Sequence, residues 1–188
     1  MAAILALWLP ILVSAVLVFV ASSLIHMLLG YHKHDWAAVP DEDAFRRAVR
    51  PLAIPPGDYS IPRCTSMKDM GTPEYQAKLN EGPVLMMTVL PNRAHAMGKS
   101  LLLWFLHSLL VGVFVAFVAG NTISVGAPYG EVFCIVAAVA FAAYGLAEIP
   151  LSIWFSRSWA TTARNLFDAL VYALVTAGTF GWLWPTAG

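Results

Sequence analysis

The stretch AAILALWLPILVSAVLVFVASSLIHMLL, residues 2–29, contains no charged residue and a single histidine, His26. A helix needs about 20 apolar residues to cross a bilayer core of roughly 30 Å. Three further stretches, at about 101–119, 132–155 and 166–184, meet the same requirement. Their uninterrupted apolar runs lack the alternation of a membrane barrel. The sequence therefore predicts an all-α membrane protein built as a bundle of four transmembrane helices.

The composition supports a membrane setting. Hydrophobic residues make up 59% of the 188 residues and charged residues 12%, whereas about a quarter of a soluble domain is charged. Eleven basic residues balance eleven acidic ones, so no basic excess is available to bind nucleic acid. A cleaved signal peptide is the rival interpretation of the first span, but it requires a positively charged start and a shorter apolar run.

The basic residues predict the orientation. Segment 31–100 holds nine of the eleven and the 156–165 connection holds two, while the 120–131 connection and the C-terminal tail hold none. Because cytoplasmic loops are enriched in Lys and Arg, both termini should face away from the cytoplasm. The expected organisation is a transmembrane helix over 1–30, a cytoplasmic cap segment of about 70 residues over 31–100, and the other three helices within 101–188. The tryptophans agree, with Trp8, Trp182 and Trp184 expected at the outer interface and Trp36, Trp104, Trp154 and Trp159 near the inner one.

The cap segment is expected to be ordered, because it contains many large apolar residues. Acidic residues after Pro40 predict a helix that leads into 44–50, and Thr72 followed by Pro73 predicts a second helix ending near Asn80. The apolar run 83–91 is too short to span and should form either a strand or a segment on the membrane surface.

Four ionisable residues are predicted at a similar depth, one on each helix. At 1.5 Å per residue, His26, His107, Glu148 and Asp168 all fall in the inner third of the membrane. Such residues are costly in lipid and usually face the bundle interior. Three interpretations stay open: a structural polar network that includes pairing of Glu148 with Arg157 or Arg164, a proton or ion pathway, and a metal site. Pro150 should disturb the helix beside Glu148.

A weaker metal candidate lies in the cap segment. Cys64, Met67 and Met70 follow at three-residue steps, and soft sulfur ligands suit monovalent copper. Methionine is also a common filler of irregular apolar surface, and the paired cysteine spacing of a zinc site is missing. The sequence leaves any cofactor unknown and contains no recognisable catalytic motif.

Small residues recur at four-residue spacing in three spans: Gly112, Ala116 and Gly120 in the second, Ala138 and Ala142 in the third, and Ala169, Ala173 and Ala177 in the fourth. Such stripes let helix backbones approach closely in lipid. They are expected to pack either within one bundle or between copies of the chain.

Three groups of residues carry a resemblance to a known family. They are SMKDMGTPE (66–74) with EGP (81–83), LPN (90–92) with MGKSL (97–101), and AGTFGWLWP (177–185). The chain resembles uncharacterised bacterial inner-membrane proteins with four spans. The resemblance implies the topology and a bacterial origin, and it carries no activity that could be transferred.

The sequence favours a non-enzymatic accessory or assembly subunit that binds a membrane-protein partner or a second copy of itself. The first alternative is a small transporter or channel for protons or metal ions that uses the inner-leaflet layer of histidines and carboxylates. The second alternative is a membrane enzyme that acts at the inner interface.

Overall fold

The computed structural model describes residues 4–93 and 96–186. The chain divides into a helical unit, Met1–Trp36 with Ala96–Gly188, and a small unit, Ala37–His95. Residues 31–36, predicted as part of the cap segment, thus belong with the helices. In chain order the helices and strands are α1 Trp8–Leu24, α2 Glu42–Val49, β1 Gly57–Ile61, α3 Pro73–Glu81, β2 Leu85–Val89, α4 Met97–Thr122, α5 Tyr129–Gly145, α6 Ile149–Trp154 and α7 Trp159–Trp182.

Three helical stretches are long and apolar enough to cross a membrane: Ile4–Leu29, Met97–Thr122 and Tyr129–Trp154. Each contains 26 residues, or about 39 Å of helix, which exceeds the hydrocarbon thickness. By length and composition the chain is therefore a multi-pass membrane protein. In the first stretch α1 follows a 3₁₀ turn, Ile4–Leu7, and continues into a π-helical turn, Ile25–Leu29.

Most of the fourth predicted span, 166–182, lies in α7, which has 24 residues. This helix is more polar than the other three, because Arg164 and Asp168 stand in its first half. It packs against α1 and most extensively against α5. Ala173, Ala177 and Phe180 are completely buried in these contacts, so α7 is an integral part of the helical unit.

The interior of the helical unit contains two apolar clusters. The larger one brings Leu7 from the start of the chain together with Val115, Val132 and Phe180, all of which are fully buried. The smaller one joins Val18, Ile25 and Tyr172, with Trp104 and Tyr144 packed against them. The end of the unit where α1 ends and α7 begins is called the polar end below.

The small-residue stripes of α4 and α7 pack inside the helical unit. All six of their residues are buried, and a Cβ atom added at Gly112 would lie only 3.2 Å from Cγ2 of Ile11. Ala138 and Ala142 of α5 are exposed instead. Val136 and Ala140 face the interior, so the stripe predicted for the third span lies on the outer surface of this bundle.

The third span is interrupted beside Glu148. Regular α5 ends at Gly145, a 3₁₀ turn covers Leu146–Glu148, and α6 starts with Pro150 in its first turn. Proline cannot donate a backbone hydrogen bond and clashes with the preceding turn. The predicted disturbance of the helix at this point is confirmed.

The small unit contains two short helices and a two-stranded sheet whose strands are separated along the chain by α3. The Asp41 side chain accepts a hydrogen bond from the Ala44 amide, and Thr72 caps α3, with Pro73 as its first residue. Strands β1 and β2 are antiparallel, with Gly57 opposite Val89. Both predicted helix starts are confirmed, and the apolar run 83–91 forms a strand.

The small unit has no core of its own. Between residues 37 and 93, every residue that the structure describes is exposed or half-buried. Leu52, Val84, Met86 and Leu90 each expose more than half of their surface. The apolar side chains that predicted an ordered segment are therefore present but uncovered.

Candidate functional site

The chain reverses direction at the polar end immediately after α1. The π-helical turn that carries His26 ends at Gly30, whose φ of 63° places it in the left-handed region. Glycine adopts this conformation without a steric penalty. A 3₁₀ turn, Tyr31–His34, follows, and it brings Tyr31 and His32 against α7. Single π turns within helices often occur at functional sites.

Asp168 of α7 is the buried anchor of the site. Its residue is only 4% exposed, and it lies nine residues beyond the start of α7, or about 14 Å along the helix. The Tyr31 hydroxyl donates a hydrogen bond to Oδ1, and His32 Nε2 lies 2.8 Å from Oδ2. Asp168 is therefore a buried carboxyl group with a hydrogen-bond partner on each oxygen.

His32 lies between two carboxylates. Its Nδ1 is 2.6 Å from Oδ2 of Asp35, while its Nε2 faces Asp168. Both ring nitrogens can donate at once only when the imidazole is protonated. Oδ1 of Asp35 accepts in turn from Arg164, at 2.7 Å from Nε and 2.5 Å from Nη2. A continuous network thus runs from Arg164 through Asp35 and His32 to Asp168 and Tyr31.

His26 completes the group from the π-helical turn. Its ring stacks on the ring of His32, with the centroids 4.6 Å apart and the planes within 4° of parallel. Its Nδ1 lies 2.9 Å from the carbonyl oxygen of Ser22. Because a carbonyl can only accept, Nδ1 carries a hydrogen, and in a neutral ring the lone pair is therefore on Nε2.

The surroundings fix the protonation of two groups in the turn after α1. Burial, the hydrogen bond to Asp168 and the nearby carboxylates raise the pKa of Tyr31 far above its ordinary value, so the phenol remains a donor. Burial alone would raise the pKa of Asp35, but hydrogen bonds from His32 and Arg164 outweigh it and lower that pKa. Asp35 is therefore held as a carboxylate.

Glu148 belongs to a separate network at the break between α5 and α6. Its Oε2 accepts from Arg157 Nη1 at 2.8 Å and from Asn165 Nδ2 at 2.6 Å. Of the two arginines suggested by the sequence, Arg157 is the partner, since Arg164 is bound to Asp35. This network joins the α5–α6 break to the connection that leads into α7.

His107 lies apart from both networks. Its side chain is exposed, and its ring stacks on Trp104 at 5.5 Å and meets Tyr144 edge-on at 6.0 Å. The four residues predicted to form one layer are thus divided. His26 and Asp168 come together, Glu148 forms its own ion pair, and His107 joins an aromatic cluster.

The three sulfur candidates are all at least partly exposed. Cys64 donates a hydrogen bond to the Ser66 carbonyl at 2.8 Å, while Met67 is 82% and Met70 46% exposed. Among residues 4–93 and 96–186, the one group of three His, Cys, Asp or Glu side chains with clustered ligand atoms is His26, His32 and Asp168, within 4.8 Å of one another.

Four members of the network were not predicted as site residues: Tyr31, His32, Asp35 and Arg164. A signal for the first three exists in the sequence Gly-Tyr-His-Lys-His-Asp, residues 30–35. A glycine directly after an apolar helix permits a left-handed turn, and a histidine three residues before an aspartate can pair with it in a helical turn. That turn folds the first residues after the span back onto the helices.

A shallow, open depression lined by Tyr31, Ala163, Arg164 and Phe167 adjoins the network.

Comparison of the chain with protein-family models, with curated proteins and with solved structures finds no match. The site must therefore be interpreted from its own geometry.

Proposed function

We propose that this protein is a bacterial inner-membrane protein with four spans, and that it is a non-enzymatic accessory subunit which binds a partner protein through its small unit. The topology is supported by the basic residues, which are concentrated in 31–100 and 156–165. In this topology α7 is the fourth span, Ala37–His95 faces the cytoplasm and both termini face the periplasm.

The length and contacts of α7 support a fourth crossing. Its 24 residues give about 36 Å of helix, enough for the hydrocarbon core. The two charged residues that make it more polar are both bound within the helical unit, Arg164 to Asp35 and Asp168 to Tyr31 and His32. Intramembrane charges are tolerated when they are paired and face the interior.

The observation that carries the proposed function is the missing core of the small unit. An isolated pair of β-strands is marginally stable at best in water without further packing. The sheet of β1 and β2 leaves Met86 60% and the adjacent Leu90 64% exposed, and each strand has one unpaired edge. Such edges and apolar side chains are used to bind another protein by strand addition.

A partner protein fits this surface better than the lipid headgroups do. Residues 37–95 contain seven basic and seven acidic side chains, so their net charge is zero. Attachment to an anionic leaflet normally relies on clustered positive charge as well as apolar area. We therefore infer that apolar side chains and strand edges bind a protein.

The alternatives have less support. An enzyme at the inner interface would need ionisable side chains of the predicted layer, such as His107 and Glu148, side by side in a pocket. Instead, Glu148 pairs with Arg157 and His107 stacks on Trp104. A transport path needs polar groups along the bundle. Apolar side chains such as Val115 and Phe180 instead fill the interior away from the polar end.

Hydrogen exchange of the β1 and β2 amides tests the proposal. In the purified chain these amides should exchange within seconds to minutes. In native membranes they should be protected from exchange, because the partner covers the two-stranded sheet. The amides of α4 and α5 serve as an internal control, since they should be protected in both. If the β1 and β2 amides are protected as strongly in the purified chain as in native membranes, the small unit needs no partner.

Two further samples identify what covers the sheet of β1 and β2. Protection restored by vesicles of native lipids alone would contradict a protein partner. Met86→Asp places a charge on the exposed apolar surface and should abolish the protection in native membranes. The matched control Met67→Asp places the same charge at an exposed methionine outside the two strands and should leave the protection unchanged, and both variants are compared for their circular dichroism.

A further inference from the structure

The donor set at the polar end suits a metal ion, independently of the partner-binding function of the small unit. His26, His32 and Asp168 offer two imidazole nitrogens and one carboxylate oxygen within 4.8 Å of one another. Imidazole and carboxylate are the ligands of many Zn²⁺ sites and of several other divalent first-row ions. Sites with three protein ligands leave a further position for water or a bound molecule.

The second observation is the orientation of both histidines. Histidines that bind a metal usually donate their other ring nitrogen to a carboxylate or a backbone carbonyl. His32 donates Nδ1 to Asp35, and His26 donates Nδ1 to the Ser22 carbonyl. In each ring this leaves Nε2 as the ligand atom, and in His32 that nitrogen already faces Asp168.

The supports extend one layer further out. Arg164 holds Asp35 through two nitrogen atoms, which fixes the carboxylate that orients His32. Tyr31 occupies Oδ1 of Asp168, which leaves Oδ2 for an ion. Metal binding replaces the proton that His32 Nε2 donates to Oδ2 of Asp168. With both histidines then neutral, two carboxylates face one guanidinium, so the network has a net charge of −1 that the cation balances.

We propose that His26, His32 and Asp168 bind a divalent transition-metal ion of the Zn²⁺ class at the polar end, with Asp35 and Ser22 as positioning groups. Nitrogen and oxygen donors distinguish this site from the sulfur-rich sites preferred by monovalent copper.

Binding requires a small rearrangement. The ion must lie in the plane of each imidazole, so the parallel stack of His26 on His32 has to open. Bonds of 2.0–2.2 Å in tetrahedral geometry put ligand atoms about 3.3 Å apart. The 2.8 Å separation of His32 and Asp168 must widen by about half an ångström. His26 is exposed and supplies most of the movement by rotating its side chain.

The test is metal binding to the purified full-length chain in detergent. Isothermal titration with Zn²⁺ should give one ion per chain, and Co²⁺ should show the visible absorption of a tetrahedral nitrogen and oxygen site. His26→Ala and Asp168→Asn should each weaken binding by at least about 10-fold, and the positioning variant Asp35→Asn by about 10- to 100-fold. His34→Ala and His107→Ala are matched controls that should leave the affinity unchanged.

The outcomes decide the proposal even if a variant folds poorly. His26 is exposed and its removal leaves the core intact, so His26→Ala is interpretable when Asp168→Asn is not. Absence of stoichiometric binding would overturn the proposal, as would equal losses in His26→Ala and His34→Ala. Because the small unit is not altered in any of these variants, failure here leaves the partner-binding function untouched.

Discussion

The hydrogen bond from Tyr31 to Asp168 gives the sharpest test of the network at the polar end. Tyr31→Phe removes one hydroxyl group and leaves the ring in place. A hydrogen bond to a charged group contributes about 1.5–3 kcal/mol, and Asp168 is only 4% exposed, so water cannot fully replace the lost donor. We therefore expect Tyr31→Phe to lower the free energy of unfolding by about 1.5–3 kcal/mol.

A double-mutant cycle with Asp168→Asn separates this bond from other effects. Both single variants and the double variant are unfolded reversibly in mixed detergent, and the coupling energy is calculated from the four free energies. Tyr59→Phe is the control, because its hydroxyl donates to Pro55 at an exposed site and should change stability by at most about 1 kcal/mol. A coupling energy near zero would refute the assignment of Tyr31 as the partner of Asp168.

Two further predictions concern packing and a loop carboxylate. A Cβ at Gly145 would lie 2.9 Å from that of Ala169, so Gly145→Ala should lower the free energy of unfolding by about 1–3 kcal/mol. Adding Ala169→Gly should restore the lost stability in the double variant. In the same unfolding assay Gly178→Ala, where the added Cβ has its nearest contact at 3.7 Å, should leave the stability unchanged. Hydrogen bonds from the Thr65 and Ser66 hydroxyls lower the pKa of Asp69, so the contribution of this carboxylate to loop stability is complete above the ordinary carboxyl pKa and is lost as the pH falls through the lowered value. Thr65→Val should raise that pKa towards its ordinary value in an NMR carboxyl titration, and an unchanged midpoint would contradict the assignment.

Hydropathy located the apolar helices but not their ends. The fourth span was predicted from residue 166, whereas α7 starts at Trp159. Its first two turns contain Thr161, Thr162 and Arg164, which lower the hydropathy while their side chains bond within the protein. A hydropathy average registers the polarity of a side chain and not its partner.

The sequence predicts the depth of a residue along a helix better than its direction around the helix. His107 and Asp168 were expected in one layer because both lie in the inner third of their spans. A helix turns by about 100° per residue, so small errors in rotation decide which side chains face inward. The sequence likewise left open whether the stripe of Ala138 and Ala142 packs within one bundle or between copies, and in the structure both residues are exposed.

The missing part of the site depended on a chain reversal. Tyr31, His32 and Asp35 follow the first span and were assigned to the cap segment, but the left-handed Gly30 turns them back onto α7. Asp35 and Arg164 are separated by 129 positions. Contacts over such a distance follow from tertiary packing, which no local pattern of residues reveals.

The proposed function assumes that the small unit faces the cytoplasm. The most direct measurement is thiol labelling of Tyr75→Cys in intact cells, in a chain whose Cys64 and Cys134 are replaced by serine. The account predicts that an impermeant reagent labels position 75 only after the inner membrane is opened, whereas a cysteine at Ser124 is labelled from outside. Labelling of position 75 in intact cells would contradict it.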